Sequence, residues 1–263
     1  MKLAAQENLV PGGTFAEKVR VLEELGYEGV ELRGDQLPQR VGEIREALGR
    51  TGLEAACVCG GYRFDLLAAD RREREESMRQ LRELLSAAGE VGAQGVIVVP
   101  IFGPPKVPDL TPWKSAREME DELLAAELSA LAEHAASCGA QLILEPLNRY
   151  ETHYLNRVDQ AMVMCERINS PHMTILADVF HMNIEEADLP SALRAGASRL
   201  GYVHLADSNR LVPGLGHTDF RSLFTTLQGL GYRGWMSLEC GVPDGIHSLR
   251  ETLHFLRKQM QAH

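Results

Sequence analysis

The stretch from Leu124 to Pro146, LAAELSALAEHAASCGAQLILEP, contains one complete helix, turn and strand unit. Its first half repeats apolar residues at spacings of four and three, which predicts a helix with one apolar face: Leu124, Leu128, Leu131, Ala135 and Cys138. Gly139 then supplies a helix end. The apolar run Gln141–Leu144 predicts a buried strand, and Glu145 closes it. The unit therefore predicts a helix that leads directly into a strand with an acid at its carboxyl end.

Seven further apolar, β-branched runs alternate with helical segments along the chain, and several of those segments also end in glycine. The runs are KLAAQ (2–6), GVELR (29–33), LEAACVC (53–59), GVIVVPIF (95–102), MTILAD (173–178), LGYVHLAD (200–207) and GWMSLE (234–239). Eight alternating units in 263 residues predict an α/β fold with one (β/α)8 barrel domain over residues 1–263. A doubly wound open sheet is the alternative, but it usually carries a glycine-rich phosphate-binding fingerprint after an early strand. The segment VPGGTF (10–15) lacks that spacing.

Composition narrows the class of protein. The net charge of −10 opposes binding to nucleic acid, which favours a basic surface. The N-terminal segment MKLAAQENLVPGG has no apolar signal region, and no run approaches the roughly 18 apolar residues of a membrane span. The five scattered cysteines are expected to be reduced thiols in the cytoplasm. Cys57 and Cys59 lack zinc-type spacing, so we expect two small strand residues there.

A proline-rich loop from Phe102 to Trp113, FGPPKVPDLTPW, follows the fourth apolar run. Four prolines in twelve residues exclude a helix. The loop is either a stiff wall or lid over a barrel mouth, or only a long connection to the next helix, and the sequence leaves both interpretations open.

Four residues whose side chains can bind a metal ion close the strands in the second half of the chain: Glu145, Asp178, His204 and Glu239. In a barrel all of these strand ends open on one face, where the chemistry of such folds lies. Three carboxylates and an imidazole that converge there need a cation to offset their repulsion. The donor set suits Mn²⁺ or Co²⁺, with Mg²⁺ and Zn²⁺ as alternatives. Glu31 closes an early strand, and we expect it to support the fold or the ligands from outside.

Other polar residues lie near these positions in the sequence. Arg and His side chains beside a metal can stabilise an oxyanion, although Arg149 and Arg210 are equally suited to ion pairs with neighbouring acids. Glu185 and Glu186 are interpreted as acids at the start of a helix, where they would complement its dipole.

Three segments together resemble the ketose 3-epimerases of the D-tagatose and D-psicose type, within the xylose isomerase-like TIM barrel superfamily. They are NRYE (148–151), DVFHMNIEE (178–186) and HLADSNRLVPGLGH (204–217), and the resemblance covers roughly residues 141–241. It departs from the family pattern at Ala206-Asp207, where the family usually has Gly-Glu. The distal part of the sugar pocket is not transferable, because it depends on loops in the first half of the chain.

The resemblance implies specific roles for residues. Glu145, Asp178, His204 and Glu239 would bind one divalent metal, and Glu145 and Glu239 would also be the acid/base pair. The substrate would be held by Glu151, His181 and Arg210. Relatives of this type are often homodimers or homotetramers.

The implied reaction is inversion of C3 of a ketose through a cis-enediolate. An aldose–ketose isomerase of the hydroxypyruvate isomerase type, or an epimerase of a phosphorylated ketose, would use the same groups. A DNA-repair endonuclease of the endonuclease IV type would need histidine ligands on early strands, which CVCGGYRF (57–64) and VVPIFGPP (98–105) lack. A sugar-binding barrel without catalysis is opposed by the intact glutamate pair.

Overall fold

The computed structural model describes residues 1–261, and its centre is a closed barrel of eight parallel strands in sequence order. Each strand pairs with the next, and β8 pairs with β1. This confirms the predicted (β/α)8 barrel and rules out the open sheet. The strands are β1 Lys2–Gln6, β2 Gly29–Arg33, β3 Glu54–Cys59, β4 Gly95–Val98, β5 Gln141–Leu144, β6 Met173–Asp178, β7 Leu200–Leu205 and β8 Trp235–Leu238.

Helices surround the barrel and return the chain to the start of each next strand. They are α1 Phe15–Leu25, α2 Leu37–Leu48, α3 Arg71–Val91, α4 Ala116–Cys138, α5 Val158–Ile168, α6 Val179–Glu185, α7 Leu189–Gly196, α8 Phe220–Gly229 and α9 Ile246–Gln261, with a short 3-10 turn at Glu7–Leu9. Among residues 1–261, none of these helices combines the length and the apolar character that crossing a bilayer requires.

Local sequence signals set the ends of the helices. Gly26, Gly92 and Gly139 adopt left-handed backbone conformations directly after α1, α3 and α4, as the glycine pattern predicts. Thr14 and Ser115 begin α1 and α4 with capping boxes, in which the side chain and a glutamate three residues later satisfy each other's backbone amides.

The core has two parts, one inside the barrel and one between the barrel and its helices. The inner part is small and consists of Ala4, Ala56, Cys57, Ile97, Ile143, Leu176, Tyr202 and Trp235. The outer part is larger and includes the apolar face of α4, whose Leu124, Leu128 and Leu131 are fully buried. Because the strands run in one direction, their carboxyl ends lie at the same end of the barrel.

Gly95, the first residue of β4, tests how tightly the barrel is packed. A Cβ atom there would lie 2.0 Å from the backbone oxygen of Gln141, which cannot move without disturbing β5. We expect Gly95→Ala to lower the free energy of unfolding by about 1–3 kcal/mol through overpacking. Gly42→Ala is the matched control, because that Cβ on exposed α2 meets nothing within 4 Å and should stabilise the protein by about 0.5–1 kcal/mol. The midpoints of thermal unfolding of the two variants are compared, and equal midpoints would contradict the tight packing around Gly95.

Candidate metal centre and active site

Four strand-end residues converge on one point at the carboxyl end of the barrel. Glu145, Asp178, His204 and Glu239 each offer one ligand atom, and these atoms all lie within 4.8 Å of one another. His204 Nδ1 lies 3.5 Å from Glu145 Oε1, 3.6 Å from Asp178 Oδ2 and 3.2 Å from Glu239 Oε2. The convergence that the sequence predicts is therefore confirmed, and the four residues form a candidate divalent metal site.

Unsatisfied polar atoms show that a cation fits this site. Glu145 Oε1, Asp178 Oδ2 and His204 Nδ1 are buried and have no hydrogen-bond partner among the described residues. Buried polar atoms without partners are costly, and three of them directed at one point are the arrangement that a metal ion satisfies. Three carboxylate oxygens and one imidazole nitrogen are suitable donors for a divalent first-row metal.

Two residues behind the ligands hold them in position. Glu31 is fully buried, and its Oε2 lies 3.0 Å from His204 Nε2. This contact places the ring proton on Nε2 and directs the Nδ1 lone pair at the ligand cluster. Gln6 Nε2 donates to Glu31 Oε1 at 2.7 Å and to Glu239 Oε1 at 2.9 Å. The supporting role expected of Glu31 agrees with this geometry, whereas Gln6 was missed, although a polar residue that closes an apolar strand was the available signal.

The two glutamates differ in their electrostatic surroundings. Burial raises the pKa of Glu145 to about 6, although the nearby His204 acts to lower it. Burial also acts to raise the pKa of Glu239, but His204, Arg210 and Gln6 outweigh it and hold that pKa well below its usual value. Burial would lower the pKa of His204, but Glu31 and Glu239 raise it well above its ordinary value. A proton and a metal ion therefore compete for this cluster.

The three predicted substrate-binding residues lie together beside the ligands. His181 Nδ1 accepts hydrogen bonds from the Asn148 backbone N–H at 3.2 Å and from its side-chain amide at 2.8 Å, which places the ring proton on Nε2. Arg210 Nη1 lies 3.4 Å from His181 Nε2 and 3.5 Å from Glu151 Oε1, and its Nη2 lies 3.3 Å from Glu239 Oε2. His181 and Arg210 thus present N–H donors next to the ligand cluster.

The loop after β7 holds Arg210 in a strained conformation. Its φ of 60° is in the left-handed region, which a residue with a side chain seldom adopts outside sites that need it. Asp207 organises the loop by accepting backbone N–H groups from Ser208 at 2.8 Å, Gly214 at 2.8 Å and Thr218 at 3.0 Å. The aspartate that departs from the family pattern therefore shapes this loop.

The interpretation of Glu185 and Glu186 as acids at a helix start is wrong. Helix α6 begins earlier, at Val179, so that Glu185 is its last residue and Glu186 follows it. Glu185 pairs with Arg149 at 2.9 Å, which is the ion pair considered for that arginine. Glu186 accepts the backbone N–H of Val158 at 2.9 Å. Glu185 thus holds the loop that carries Arg149, and Glu186 binds the first backbone amide of α5.

A cavity of about 350 Å³ opens beside the metal site. Its inner end is lined by Glu145, Glu151, His181, Arg210 and Glu239. The outer end is formed by Arg33 at the end of β2 and by the loops that follow β3 and β4, including Arg63, Phe64 and Phe102. The proline-rich loop thus contributes a wall through Phe102, its first residue, whereas Trp113 at its other end is 75% exposed and not among the lining residues.

Comparison with known proteins identifies the family. The family model described as xylose isomerase-like TIM barrel matches residues 19–259. The chain belongs to this family. Within it, a 3-dehydro-D-guloside 4-epimerase of Escherichia coli is 33% identical over 98% of this chain and 99% of the relative. A D-psicose 3-epimerase of Enterocloster bolteae is 39% identical over 45% of this chain and 39% of the relative.

Solved structures of epimerases superimpose on this fold. The apo form of 3-keto-D-glucoside 4-epimerase from E. coli superimposes with a TM-score of 0.91 at 32% identity, covering 98% of this chain and 99% of that one. D-psicose 3-epimerase from Clostridium cellulolyticum H10 superimposes with a TM-score of 0.86 at 19% identity over the full length of both chains, which shows a shared fold. These relatives are named as epimerases, and the protein is an isomerase of the racemase and epimerase type.

Glu31→Gln tests whether the carboxylate behind His204 prepares the metal site. A glutamine can present an amide N–H instead of an acceptor to His204 Nε2, so the ring loses its fixed orientation. We expect Mn²⁺ to bind chelator-treated Glu31→Gln about 10–100-fold more weakly than wild type in calorimetric titration. Glu24→Gln, an exposed change on α1, is the matched control. An unchanged affinity in Glu31→Gln would contradict the orienting role.

Proposed function

We propose that the protein is a divalent-metal-dependent epimerase that inverts the carbon next to the ketone of a sugar. The observation that carries this proposal is that the carboxylates of Glu145 and Glu239 lie 3.5 and 3.2 Å from His204 Nδ1 and line one cavity with the donors of His181 and Arg210. We further propose that Glu145, Asp178, His204 and Glu239 hold Mn²⁺ or Co²⁺, because the donor set is rich in oxygen with one nitrogen.

Inversion next to a ketone requires one group to remove a proton and another to return one to the opposite face. A bound divalent cation supplies Lewis acidity that makes this carbon more acidic. One of Glu145 and Glu239 removes the proton and gives an enediolate. The Nε2–H of His181 and the guanidinium of Arg210 donate hydrogen bonds to the oxygen on which negative charge builds. The other glutamate, which enters the reaction protonated, then delivers its proton to the opposite face, and exchange with solvent restores both groups. Glu151 helps to orient the sugar through Arg210.

The relative that spans the whole chain favours a 3-keto-glycoside as the substrate. It is named a 4-epimerase of a 3-dehydro-guloside, in which C4 is the carbon next to the ketone. Inversion of C3 in a free ketose is the second candidate, favoured by the motifs at 148–151, 178–186 and 204–217 and by the partial match to D-psicose 3-epimerase. Both reactions remove a proton next to a carbonyl group, so the same residues serve either one.

The remaining predictions concern the setting of this reaction. We propose that residues 1–263 form one domain and that the partner is a small sugar rather than nucleic acid or membrane. Cytoplasmic location and a homodimer or homotetramer stay predictions.

Glu239→Gln tests the acid/base pair. The amide cannot remove a proton, so kcat is expected to fall on the order of 10²-fold or more at saturating Mn²⁺. Turnover of a methyl 3-keto-glycoside and of D-fructose is followed by chromatography of the epimers, and the bound metal is quantified so that loss of metal is distinguished from loss of the base. Glu133→Gln on the exposed face of α4 is the matched control. Near-wild-type turnover by metal-loaded Glu239→Gln would reject the proposed role.

A further inference from the structure

The cavity has an outer end that the proposed reaction does not use. Four side chains form this end, and we call them the rim: Arg33, Arg63, Phe64 and Phe102. Arg33 ends β2, the other three come from the loops after β3 and β4, and all four lie outside the segments in which the sequence resembles ketose 3-epimerases. We propose that the rim is a binding subsite for a second, uncharged sugar ring attached to the keto sugar. This inference rests on the proposed function and specifies the class of substrate.

Arg63 provides hydrogen-bond donors that the protein itself does not use. Its guanidinium lies over the ring of Phe64, with Cζ 5.0 Å from the ring centroid. Across residues 1–261, no carboxylate lies within ion-pair distance of Arg63, and its side chain donates no hydrogen bond. A planar guanidinium held on an aromatic ring at the edge of a cavity is suited to bind ligand oxygens.

Phe102 provides an aromatic surface next to these donors. It is 50% exposed although it lines the cavity, so a large apolar ring meets water at the mouth of the site. The C–H face of a pyranose ring is apolar and would cover such a surface, while its hydroxyl groups remain at the edge. A second ring bound here would remove apolar surface of Phe102 and of the sugar from water, and this burial would stabilise binding.

The charges at the rim favour an uncharged ring over an anion. Arg33 Nη2 is already paired with Asp35 Oδ2 at 3.2 Å. Asp65 pairs with Lys106 and also accepts the backbone N–H of Phe102 at 3.3 Å. The cations and carboxylates around the rim therefore nearly balance. Hydroxyl groups both donate and accept hydrogen bonds, which suits a surface that offers guanidinium donors beside carboxylate acceptors.

The backbone of the rim is preformed. A Cβ on Gly34 would lie 2.1 Å from Gly60 O, so the loops after β2 and β3 are in direct backbone contact. The backbone N–H of Arg33 donates to Glu7 Oε1 at 2.7 Å, and that of Arg63 donates to Gln80 Oε1 at 2.8 Å. A surface that is already ordered loses little entropy when a ligand binds to it.

The rim is also tied to the reacting end of the cavity. Gly103, which follows Phe102, donates its backbone N–H to the Glu151 carbonyl at 2.7 Å. The proline-rich loop that carries Phe102 is therefore hydrogen-bonded to the loop that carries Glu151. Binding energy gained from the second ring can then position the keto sugar against the two glutamates, which raises kcat/KM for the larger substrate.

Comparison of two substrates with the same reacting ring tests the rim. The kcat/KM values for a 3-keto disaccharide and for a methyl 3-keto-glycoside are measured with metal-loaded protein. Wild type is expected to prefer the disaccharide, and Phe102→Ala and Arg63→Ala are each expected to reduce that preference about tenfold. Trp113→Ala and Arg72→Ala are the matched controls, since both residues are exposed and neither lines the cavity, and they should keep the wild-type preference.

The outcomes separate the rim from the proposed function. Turnover of both compounds without a preference, or a preference that survives in both rim variants, overturns the subsite and leaves the epimerase proposal intact. Turnover of neither compound, together with turnover of a free ketose, overturns the glycoside substrate and the rim; turnover of no keto sugar overturns the proposed function as well. A stronger preference for a phosphorylated keto sugar that Arg63→Ala removes would show an anion site and overturn the uncharged ring.

Discussion

The repulsion among three carboxylates packed around one imidazole is the constraint on which the carboxyl face of this barrel depends. One oxygen of each carboxylate and the Nδ1 atom of His204 lie within 4.8 Å of one another, and three of these four atoms have no hydrogen-bond partner among residues 1–261. Such a cluster is stable only when positive charge offsets it. The residues behind it follow from this requirement, since Glu31 fixes the histidine ring and Gln6 joins Glu31 to Glu239. The barrel supplies the rigid strands that keep these groups in place.

The same arrangement explains why one site can serve several sugar reactions. A pair of carboxylates beside a bound cation removes and returns a proton next to a carbonyl, whichever carbon of the sugar lies between them. The choice of carbon depends on how far the substrate enters the cavity. The cavity is lined at its outer end by Arg33, Arg63 and Phe102, which we propose limit that depth. The proposed chemistry therefore lies at the strand ends, and the proposed specificity lies at the outer end of the cavity.

Local signals in the sequence predict the fold and the ligands, because helix ends such as Gly139 and strand ends such as Asp178 depend on near neighbours. Contacts that depend on barrel closure are not readable in this way. Glu31 and His204 are 173 residues apart and meet only because closure of the barrel brings β2 and β7 around one interior. The role of Glu185 was misassigned because α6 starts immediately after its strand, which moves that acid from the start of the helix to its end.

The position at which solvent deuterium enters the sugar tests the central claim most directly. Metal-loaded protein is incubated in D₂O with a methyl 3-keto-glycoside and, separately, with D-fructose, and the label is located by NMR. We predict deuterium at the carbon on which the epimers differ, which is C4 of the 3-keto-glycoside or C3 of the ketose. In the D-fructose reaction, label confined to C1 of the ketose or C2 of an aldose product would indicate an aldose–ketose isomerase. Epimer formation without any label from solvent would contradict proton removal by the glutamate pair.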